Sequence, residues 1–404
     1  MTQNRRYDVC VVGAGLVGLA TARAVIEMLP GTSVLVLDKE QSVAAHQSSH
    51  NSGVVHSGLY YKPGSMKARL CVEGREAVHE LSDRVGIPAV RSGKLVIAGH
   101  GSEIPALEEL ERRGLANGLT GLRRLGPGEI QEFEPEAVGV AALHVPEAGI
   151  ADFPAIARHL ADEIGGAGAD IRTGHRVEAI DHAAGGVVVR AAGETVAARA
   201  LINCAGLHSD RVAALAGVRS AVRIVPFRGD YYQLTDSAAG LVRTLVYPVP
   251  DPRFPFLGVH FTRRIDGSVE VGPNAVLALG REHYRGTEPN WRDVREILAA
   301  RGFRRLAFRH WRSGTRELIN SRSRRLYARL AQRLVPNVGM QDLVAGGSGV
   351  RAQAVGPDGR LLDDFVFEET GSTIHVLNAP SPGATASLAI GRLVARRALP
   401  LIRR

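Results

Sequence analysis

The chain begins with short apolar runs that flank one helical stretch. Residues Tyr7 to Val12 form an apolar run that predicts a buried parallel strand, and Ser33 to Leu37 predict a second one. Between them, Leu19 to Met28 has the spacing of apolar residues that is typical of a helix. This order predicts a strand–helix–strand unit of about thirty residues at the start of the chain.

The pattern changes after this unit and predicts strands in more than one layer. Apolar runs bounded by turn residues predict strands at Gly93–Ala98, Ala141–Val145, Ala169–Arg172, Val187–Ala191, Thr195–Ala198 and Ala200–Cys204. Helical spacing predicts helices at Glu103–Asn117, Pro154–Ile164 and Gly383–Ala398. The pair of runs around Gly193 indicates a hairpin.

Buried strands of the first type recur at the start, in the middle and at the end of the chain. This recurrence predicts an α/β fold (α+β overall) with a discontinuous, Rossmann-like nucleotide-binding domain. We expect residues 1–85, 150–222 and 340–404 in this domain. Residues 86–149 and 223–339, which include basic helices at about 292–333, would form an inserted antiparallel β-sheet domain that binds the substrate.

The composition is that of a globular protein. The 404 residues are 45% hydrophobic and 23% charged, which argues against disorder. Three widely spaced cysteines without a CxxC pair, Cys10, Cys71 and Cys204, argue against a disulfide framework and a metal site. The short polar lead, Met1 to Arg6, lacks the features of a secretion signal, and no run of about 18 apolar residues predicts a membrane span. We therefore expect a cytoplasmic protein.

The net charge of +9 is concentrated in one segment. Residues Arg292 to Arg333 contain thirteen arginines and three acidic residues, whereas the rest of the chain is close to neutral. Apolar residues lie among these arginines, at Leu298, Phe303, Leu306, Phe308 and Trp311. This mixture is typical of an interfacial helix on anionic lipid, at the inner face of the cell membrane, where a quinone would accept electrons. The alternative is a solvated helical face that contacts nothing. A nucleic-acid partner is not expected, because the segment contains no recognised binding module.

A glycine-rich turn follows the first predicted strand. Gly13, Gly15 and Gly18 stand in the spacing GxGxxG between a strand and a helix. They permit a tight turn, approach of the backbone to a pyrophosphate, and close packing of helix on strand. Asp38, at the end of the second strand, is placed to accept hydrogen bonds from a ribose. The motif predicts a dinucleotide site and leaves FAD and NAD open.

Three histidines follow the second strand among small polar residues. His46, His50 and His56 lie within the stretch from His46 to Gly58, beside the predicted dinucleotide. Because a histidine titrates near neutral pH, at least one of them is a candidate for work near the cofactor.

The chain resembles the L-2-hydroxyglutarate oxidases and dehydrogenases. The resemblance rests on blocks that stand in the family's order over nearly the whole chain, at His50–Ser65, Pro226–Tyr232, Tyr247–Pro250, Pro255–Thr262, Val271–Val276, Ser348–Gln353 and Asn378–Thr385. One departure is Asp38, where the family usually has Glu, which keeps the ribose-binding role.

The resemblance implies FAD, bound by a fold of the D-amino-acid and glycine oxidase superfamily. The residues that it assigns to the cofactor are Gly13, Gly15, Gly18, Asp38, Lys39, Ser49, Asn51, Ser52, Val177, Ala205, Gly206, Pro382, Gly383, Ala384 and Thr385. It also implies that Pro382 to Thr385 begin the last helix at the flavin's pyrimidine edge. The alternative of an NAD-dependent dehydrogenase does not explain the Asn378–Thr385 segment near the end of the chain.

The implied reaction is the oxidation of L-2-hydroxyglutarate to 2-oxoglutarate, with electrons passed from the flavin to quinone or oxygen. Arg351 would bind the α-carboxylate, because a guanidinium fork grips a carboxylate through two hydrogen bonds. The other substrate-binding candidates are Arg228, Tyr231, Tyr232 and His260. His56 and His260 are equal candidates for the base. The alternative is an FAD-dependent oxidation of another small hydroxy or amino acid. Covalent attachment of the flavin and the oligomeric state stay open.

Overall fold

Strands and helices alternate at the two ends of the chain, and strands dominate its middle. The computed structural model describes residues 6–251, 257–286, 288–310 and 323–403. The strands are β1 (Arg6–Val12), β2 (Val34–Leu37), β3 (Val54–Val55), β4 (Ala89–Val90), β5 (Lys94–Ala98), β6 (Arg123–Leu125), β7 (Ala141–His144), β8 (Gly149–Ala151), β9 (Asp170–Arg172), β10 (Val177–Ala183), β11 (Gly186–Ala191), β12 (Glu194–Asn203), β13 (Arg223–Leu234), β14 (Leu245–Pro248), β15 (His260–Arg263), β16 (Val269–Gly272), β17 (Val276–Leu277), β18 (Leu343–Val355), β19 (Val366–Thr370) and β20 (Thr373–Asn378).

The helices lie mainly against the first and last strands. They are α1 (Leu16–Met28), α2 (Met66–Val85), α3 (Ile104–Ala116), α4 (Pro127–Phe133), α5 (Phe153–Gly166), α6 (Ser209–Leu215), α7 (Trp291–Ala299), α8 (301–310), α9 (Arg324–Ala331) and α10 (Ser387–Ile402). In the part of the chain that is described, none of these helices has the length and apolar character needed to cross a membrane.

The first sheet has β1 at its centre. Its main path runs β10-β11-β12-β1-β2-β9, and β20 and β19 continue from β12. The pairs β1–β2, β1–β12, β2–β9 and β12–β20 are parallel. Parallel strands have both faces covered, and here α1, α5 and α10 contribute to the buried apolar cluster around β1 and β2. The predicted strand–helix–strand unit is therefore confirmed.

Helix α10 packs closely on α1. A Cβ atom at Gly391 would lie only 2.5 Å from the backbone carbon of Ala20, so this crossing needs a glycine. The tight packing brings the end of the chain back to its beginning. The turn before α10 therefore lies beside the turn before α1.

The second sheet is mostly antiparallel and has long strands at one side. Its path is β17-β13-β16-β15-β14-β5-β7-β6, and β18 pairs with β13. The exception to the antiparallel pairing is β14–β5. A third, small sheet of β3, β8 and β4 is not hydrogen-bonded to either of them within the described residues, and its side chains pack against both. This mixed architecture confirms the predicted α/β class with an antiparallel sheet.

The predicted domain bounds stay a prediction, but the pairing of strands bears on one of them. The first sheet takes its strands from residues 6–37, 170–203 and 366–378, and the second takes its strands from 94–144 and 223–355. Strand β18 thus belongs to the second sheet, although it follows the predicted boundary at residue 340.

Two predictions of local structure were wrong, and one helix was missed. The separate strands Thr195–Ala198 and Ala200–Cys204 are one strand, β12, because β1 pairs along it while β11 and β20 share its other edge. The last helix starts at Ser387 instead of Gly383. Helix α2 was not predicted, although Ser65 caps its start by accepting from Ala68 N and Gly86 ends it with φ +71°.

The basic segment is only partly an exposed apolar face. Phe303 and Leu306 are each 8% exposed and pack with Ile297, so they face the protein. Leu298 and Phe308 are 56% and 86% exposed. Trp311, together with residues 312–322, lies outside the described residues.

Candidate active site

A cavity of about 1720 Å³ is lined by loops of both main sheets. Most of the predicted site residues border it. These are Gly13, Gly15, Asp38, Lys39, Asn51, Ser52, His56, Val177, Ala205, Gly206, Tyr231, Arg351, Pro382, Gly383, Ala384 and Thr385. The predicted residues that do not border it are Gly18, Ser49, Arg228, Tyr232 and His260.

The glycine turn has no room for side chains. Gly13 has φ +107°, and a Cβ atom there would lie 2.5 Å from the carbonyl oxygen of Cys204. A Cβ atom at Gly18 would lie 1.9 Å from the carbonyl oxygen of Gly13. Gly18 therefore acts by packing α1 on the turn, which explains why it does not border the cavity. Gly15 provides no side-chain cap for α1, and Gly15, Leu16 and Val17 at the start of the helix border the cavity.

Asp38 ends β2 and holds the turns around it. Its carboxylate accepts from Ala14 N at 2.7 Å and from Glu40 N at 2.9 Å. Next to it, Lys39 Nζ lies 2.8 Å from Glu282 Oε1 and also pairs with Glu40. Glu282 accepts from His208 as well, and the hydrogen bonds from His208 and Lys39 hold the pKa of Glu282 far below the ordinary value. No sequence pattern pointed to Glu282, because this residue comes from a distant loop.

The loop after β2 is held by its own polar groups. Ser48 Oγ accepts from Leu16 N at 2.9 Å and borders the cavity, so Ser48 occupies the place that was predicted for Ser49. The Asn51 side chain donates to the carbonyls of Gln47 and Ser48 and accepts from Gly53 N. The side-chain amide of Asn51 is therefore used in hydrogen bonds within the loop. Asn51 contributes to the cavity wall by holding the loop in this conformation.

The turn before α10 is tied to His56. Thr385 Oγ1 donates to Val54 O at 3.2 Å and accepts from His56 N at 3.1 Å. These bonds hold residues 382–385 as a turn beside β3, which is why the helix begins later than predicted. Ser381 Oγ lies 3.4 Å from His56 Nε2.

His56 and His260 are both neutral imidazoles. Burial, with the nearby cations Lys94 and Lys67, holds the pKa of His56 well below the ordinary value, and its buried Nδ1 has no partner among the described residues. Burial also lowers the pKa of His260 to about 3. Because His260 Nδ1 donates to Gly258 O at 2.8 Å, its lone pair is on Nε2. His260 stacks on Tyr247 with ring centroids 4.0 Å apart.

Arg351 projects from β18 at the cavity. It donates a hydrogen bond to the buried Tyr231, whose pKa is raised by burial. Since both residues border the cavity, the structure brings together two of the predicted substrate residues.

Two predicted substrate residues point elsewhere. Arg228 Nε donates to Asp230 at 2.7 Å and its NH1 group to Gly286 O at 2.6 Å, so its guanidinium is occupied away from the cavity. Tyr232 packs its ring 4.8 Å from that of Tyr327 in the core of the second sheet. Successive side chains along β13 point to opposite faces of the sheet. Tyr231 therefore borders the cavity, whereas its neighbour Tyr232 packs in the core.

Sequence reasoning missed the buried Lys94 near His56. The chain has only four lysines, and this one opens the apolar run Lys94–Ala98. A charged residue inside a buried strand was the signal that could have found it.

The family described as FAD dependent oxidoreductase matches residues 8–397. The chain belongs to this family. FAD fits the residues that are present, because the glycine turn, the open start of α1 and Asp38 border one continuous cavity that also reaches His56 and Arg351. This confirms the FAD prediction and excludes the NAD alternative.

Relatives of this oxidoreductase match it over nearly their whole length. It is 44% identical over 394 residues to an L-2-hydroxyglutarate dehydrogenase from Indibacter alkaliphilus, covering 97% of the chain and 99% of the relative. The mitochondrial L-2-hydroxyglutarate dehydrogenase of Homo sapiens is 42% identical, with 96% and 88% covered. That of Escherichia coli K12 is 41% identical, with 98% and 94% covered. The resemblance stated from the sequence is thus confirmed.

Solved structures show the same fold at lower identity. L-α-glycerophosphate oxidase from Mycoplasma pneumoniae with FAD bound matches with a TM-score of 0.78 at 22% identity, covering 99% of this chain and 95% of that one. Glycine oxidase from Geobacillus kaustophilus matches with a TM-score of 0.73 at 22% identity and the same coverage.

Proposed function

We propose that this oxidoreductase oxidises L-2-hydroxyglutarate to 2-oxoglutarate. The observation that carries the proposal is the near-full-length identity to relatives named for this activity. The site supports it, because Arg351 and Tyr231 offer donors for a carboxylate beside the neutral His56.

We propose that FAD lies along the cavity from the glycine turn to the turn before α10. The start of α1 would face the pyrophosphate, and Asp38 the ribose of the adenosine half. Val177 would contact adenine, and Thr385 would lie at the flavin. The remaining contacts would come from Lys39, Ser48, Ser52, Ala205, Gly206, Pro382, Gly383 and Ala384, all of which border the cavity.

In the proposed reaction, C2 of the substrate loses a hydride and its hydroxyl loses a proton. Bound FAD supplies the acceptor for the hydride. Arg351 would hold the α-carboxylate and so orient C2. His56 would take the proton, since it is neutral, borders the cavity and has an unpartnered Nδ1 among the described residues. His260 is the weaker candidate for the base, because it does not border the cavity.

The test is the visible spectrum of the purified protein without oxygen, before and after addition of substrate. Bleaching of the flavin bands by the L and not the D enantiomer is expected. A flavin that stays oxidised with L-2-hydroxyglutarate and bleaches with another hydroxy or amino acid would overturn the substrate assignment.

The exposed side of α7 and α8 supports a further proposal about the electron acceptor. Trp291, Leu298 and Phe308 are 66%, 56% and 86% exposed, and exposed arginines lie around them at 292, 295, 301, 304, 305 and 309. This surface would dock on anionic lipid, at the inner face of the membrane, and bring the flavin to a quinone. Binding to anionic vesicles that persists at high salt is expected. Absence of binding at low salt would contradict the proposal.

A further inference from the structure

Lys94 is a buried cation at a fixed position. It opens β5 between β14 and β7, and its backbone exchanges hydrogen bonds with Val145 at 3.1 and 2.8 Å. The residue is 1% exposed, one of the largest fully buried side chains. This burial needs a structural or functional reason, because lysine is almost never fully buried unless it is paired.

The ammonium group of Lys94 has aromatic neighbours in place of an acceptor. Nζ lies 4.2 Å from the ring centroid of Tyr247 and 5.1 Å from that of Tyr60. Among the described residues, no oxygen accepts a hydrogen bond from Nζ and no carboxylate pairs with it. Lys67 provides the contrast, since this buried lysine, which is 8% exposed, donates to Asp363 Oδ1 at 2.9 Å.

The surroundings of Lys94 are short of negative charge. Its charge and that of Arg351 act on both His56 and His260 and lower the pKa of each. Burial lowers the pKa of Lys94 itself to about 7. Cation–π contacts offset only part of the cost of burying an ammonium, so a bound anion would complete the site.

Lys94 itself does not border the cavity, but its neighbours Tyr60 and His56 connect its position to the cavity wall. Tyr60 and His56 both border the cavity. The Tyr60 hydroxyl and His56 Nδ1 are buried without a hydrogen-bond partner among the described residues. A carboxylate entering here would find the Tyr60 hydroxyl as a hydrogen-bond donor without another partner among the described residues, while His56 Nδ1 stays available for the C2 hydroxyl.

We propose that Lys94 binds the C5 carboxylate of the dicarboxylate substrate, while Arg351 holds the α-carboxylate. The inference rests on the proposed function and deepens it. The two cations suit different tasks, because a guanidinium fork fixes the orientation of the carboxylate next to the reacting carbon, whereas an ammonium binds a remote carboxylate as a point charge.

Binding of a carboxylate at Lys94 would change the number of protons that the protein holds. At pH 8.5 most Lys94 side chains are neutral in the free protein, and a bound carboxylate favours the ammonium form, so binding takes up a proton. The titratable groups that face Lys94 are Cys71, Tyr60, Tyr247, His56 and His260. Burial raises the pKa of the thiol and the phenols and lowers that of the histidines, so Lys94 is the group among them whose pKa lies at about 7.

The first experiment measures proton uptake by the FAD-loaded enzyme. Glutarate, a non-reacting dicarboxylate, is bound at pH 8.5 in buffers of different ionisation enthalpy. Uptake of close to one proton is expected with glutarate, and much less at pH 5.5, where Lys94 is already charged. Pentanoate, which lacks the second carboxylate, should cause little uptake. Equal uptake with glutarate and pentanoate would overturn the assignment, and this comparison needs no variant.

The second experiment compares two substrates in Lys94→Met. We expect kcat/KM for L-2-hydroxyglutarate to fall about 10- to 150-fold, the equivalent of a hydrogen bond to a charged group. The value for L-2-hydroxypentanoate, which ends in a methyl group, should change little. Equal losses for both substrates would contradict a role at C5. Lys94→Arg should recover part of the loss, and Lys62→Met, at an exposed lysine, is the matched control.

The two proposals fail in different ways. If L-2-hydroxyglutarate does not reduce the flavin of the wild-type protein, the proposed function is wrong. If it does, and Lys94→Met retains both the proton uptake and the preference for the dicarboxylate, only the assignment of Lys94 is wrong. Flavin content and thermal unfolding report whether each variant is folded.

Discussion

The two ends of the cavity are built on different principles. At the glycine turn, the backbone makes the site, and its parts lie within one strand–helix–strand unit. At the other end, side chains from four separate segments come together: His56, after β3, and Arg351, on β18, border the cavity, and Lys94, on β5, and His260, on β15, lie behind its wall. The first end depends on the absence of Cβ atoms, whereas the second depends on how two sheets pack.

Charge divides the two ends in the same way. Near the glycine turn, Lys39 is paired with Glu40 and Glu282, so the local charges are balanced within the protein. Near His56, Lys94 has no carboxylate partner among the described residues. Lys39 is therefore neutralised within the protein, whereas we propose that a bound anion neutralises Lys94 at the substrate end.

The largest effect is expected from Gly18→Ala at the backbone-built end. The new Cβ atom would lie 1.9 Å from the carbonyl oxygen of Gly13, so α1 would have to move off the turn. We expect nearly complete loss of FAD, measured as flavin absorbance per protein. Gly165→Ala is the matched control, because Gly165 is also helical and a Cβ atom there meets no described atom within 4 Å. Full retention of FAD in Gly18→Ala would show that the turn tolerates a side chain.

The next largest effect is expected from His56→Ala at the side-chain end. Loss of a general base costs typically 100- to 10,000-fold, so flavin reduction in a single turnover should slow by about 100-fold or more. FAD content should stay close to that of the wild type. The comparison variant is His260→Ala, for which a smaller effect is expected. A larger loss in His260→Ala than in His56→Ala would reverse the proposed roles.

A smaller effect is expected from Arg351→Lys, which keeps the charge and loses the fork. Loss of one charged hydrogen bond corresponds to about a 10- to 150-fold fall in kcat/KM. Steady-state kinetics with an artificial electron acceptor provide the measurement. Arg228→Lys is the comparison, because Arg228 pairs with Asp230 away from the cavity. Equal losses in both variants would mean that Arg228 also reaches the substrate.

The contrast between the ends also explains what could be predicted from the sequence. Gly13, Gly18 and Asp38 were found because a tight turn and the end of a strand leave local signals in residue type and spacing. His56 was one of three histidines proposed from their position after β2, and Arg351 was proposed only through the resemblance to a family, since the chemistry of a side chain does not reveal its distant neighbours. Arg228 and Tyr232 were assigned by their neighbourhood in sequence, and alternation along β13 turned Tyr232 away.

The residues that were missed lacked a local signal or had one of the wrong kind. Glu282 meets Lys39 only because a loop of the second sheet returns to the nucleotide end. Lys94 stands in an apolar run, which predicts a strand and says nothing about a ligand. Burial of its side chain, which depends on the packing of β5 between β14 and β7, is what turns the residue into a candidate for anion binding.

The smallest effect is expected from a change of pH. It distinguishes a His56 whose pKa is lowered by burial from a histidine with the ordinary pKa. A base with the reference pKa of about 6.5 would be about three-quarters protonated at pH 6, and flavin reduction would slow about fourfold between pH 8 and pH 6. Burial is the main cause that lowers the pKa of His56, and it persists when the substrate is bound. At saturating L-2-hydroxyglutarate, which removes the titration of Lys94 from the measurement, the rate should therefore fall less than about twofold over this range. A fourfold fall in the rate of flavin reduction, centred near pH 6.5, would contradict this expectation. It would mean that water reaches His56 when the substrate is bound.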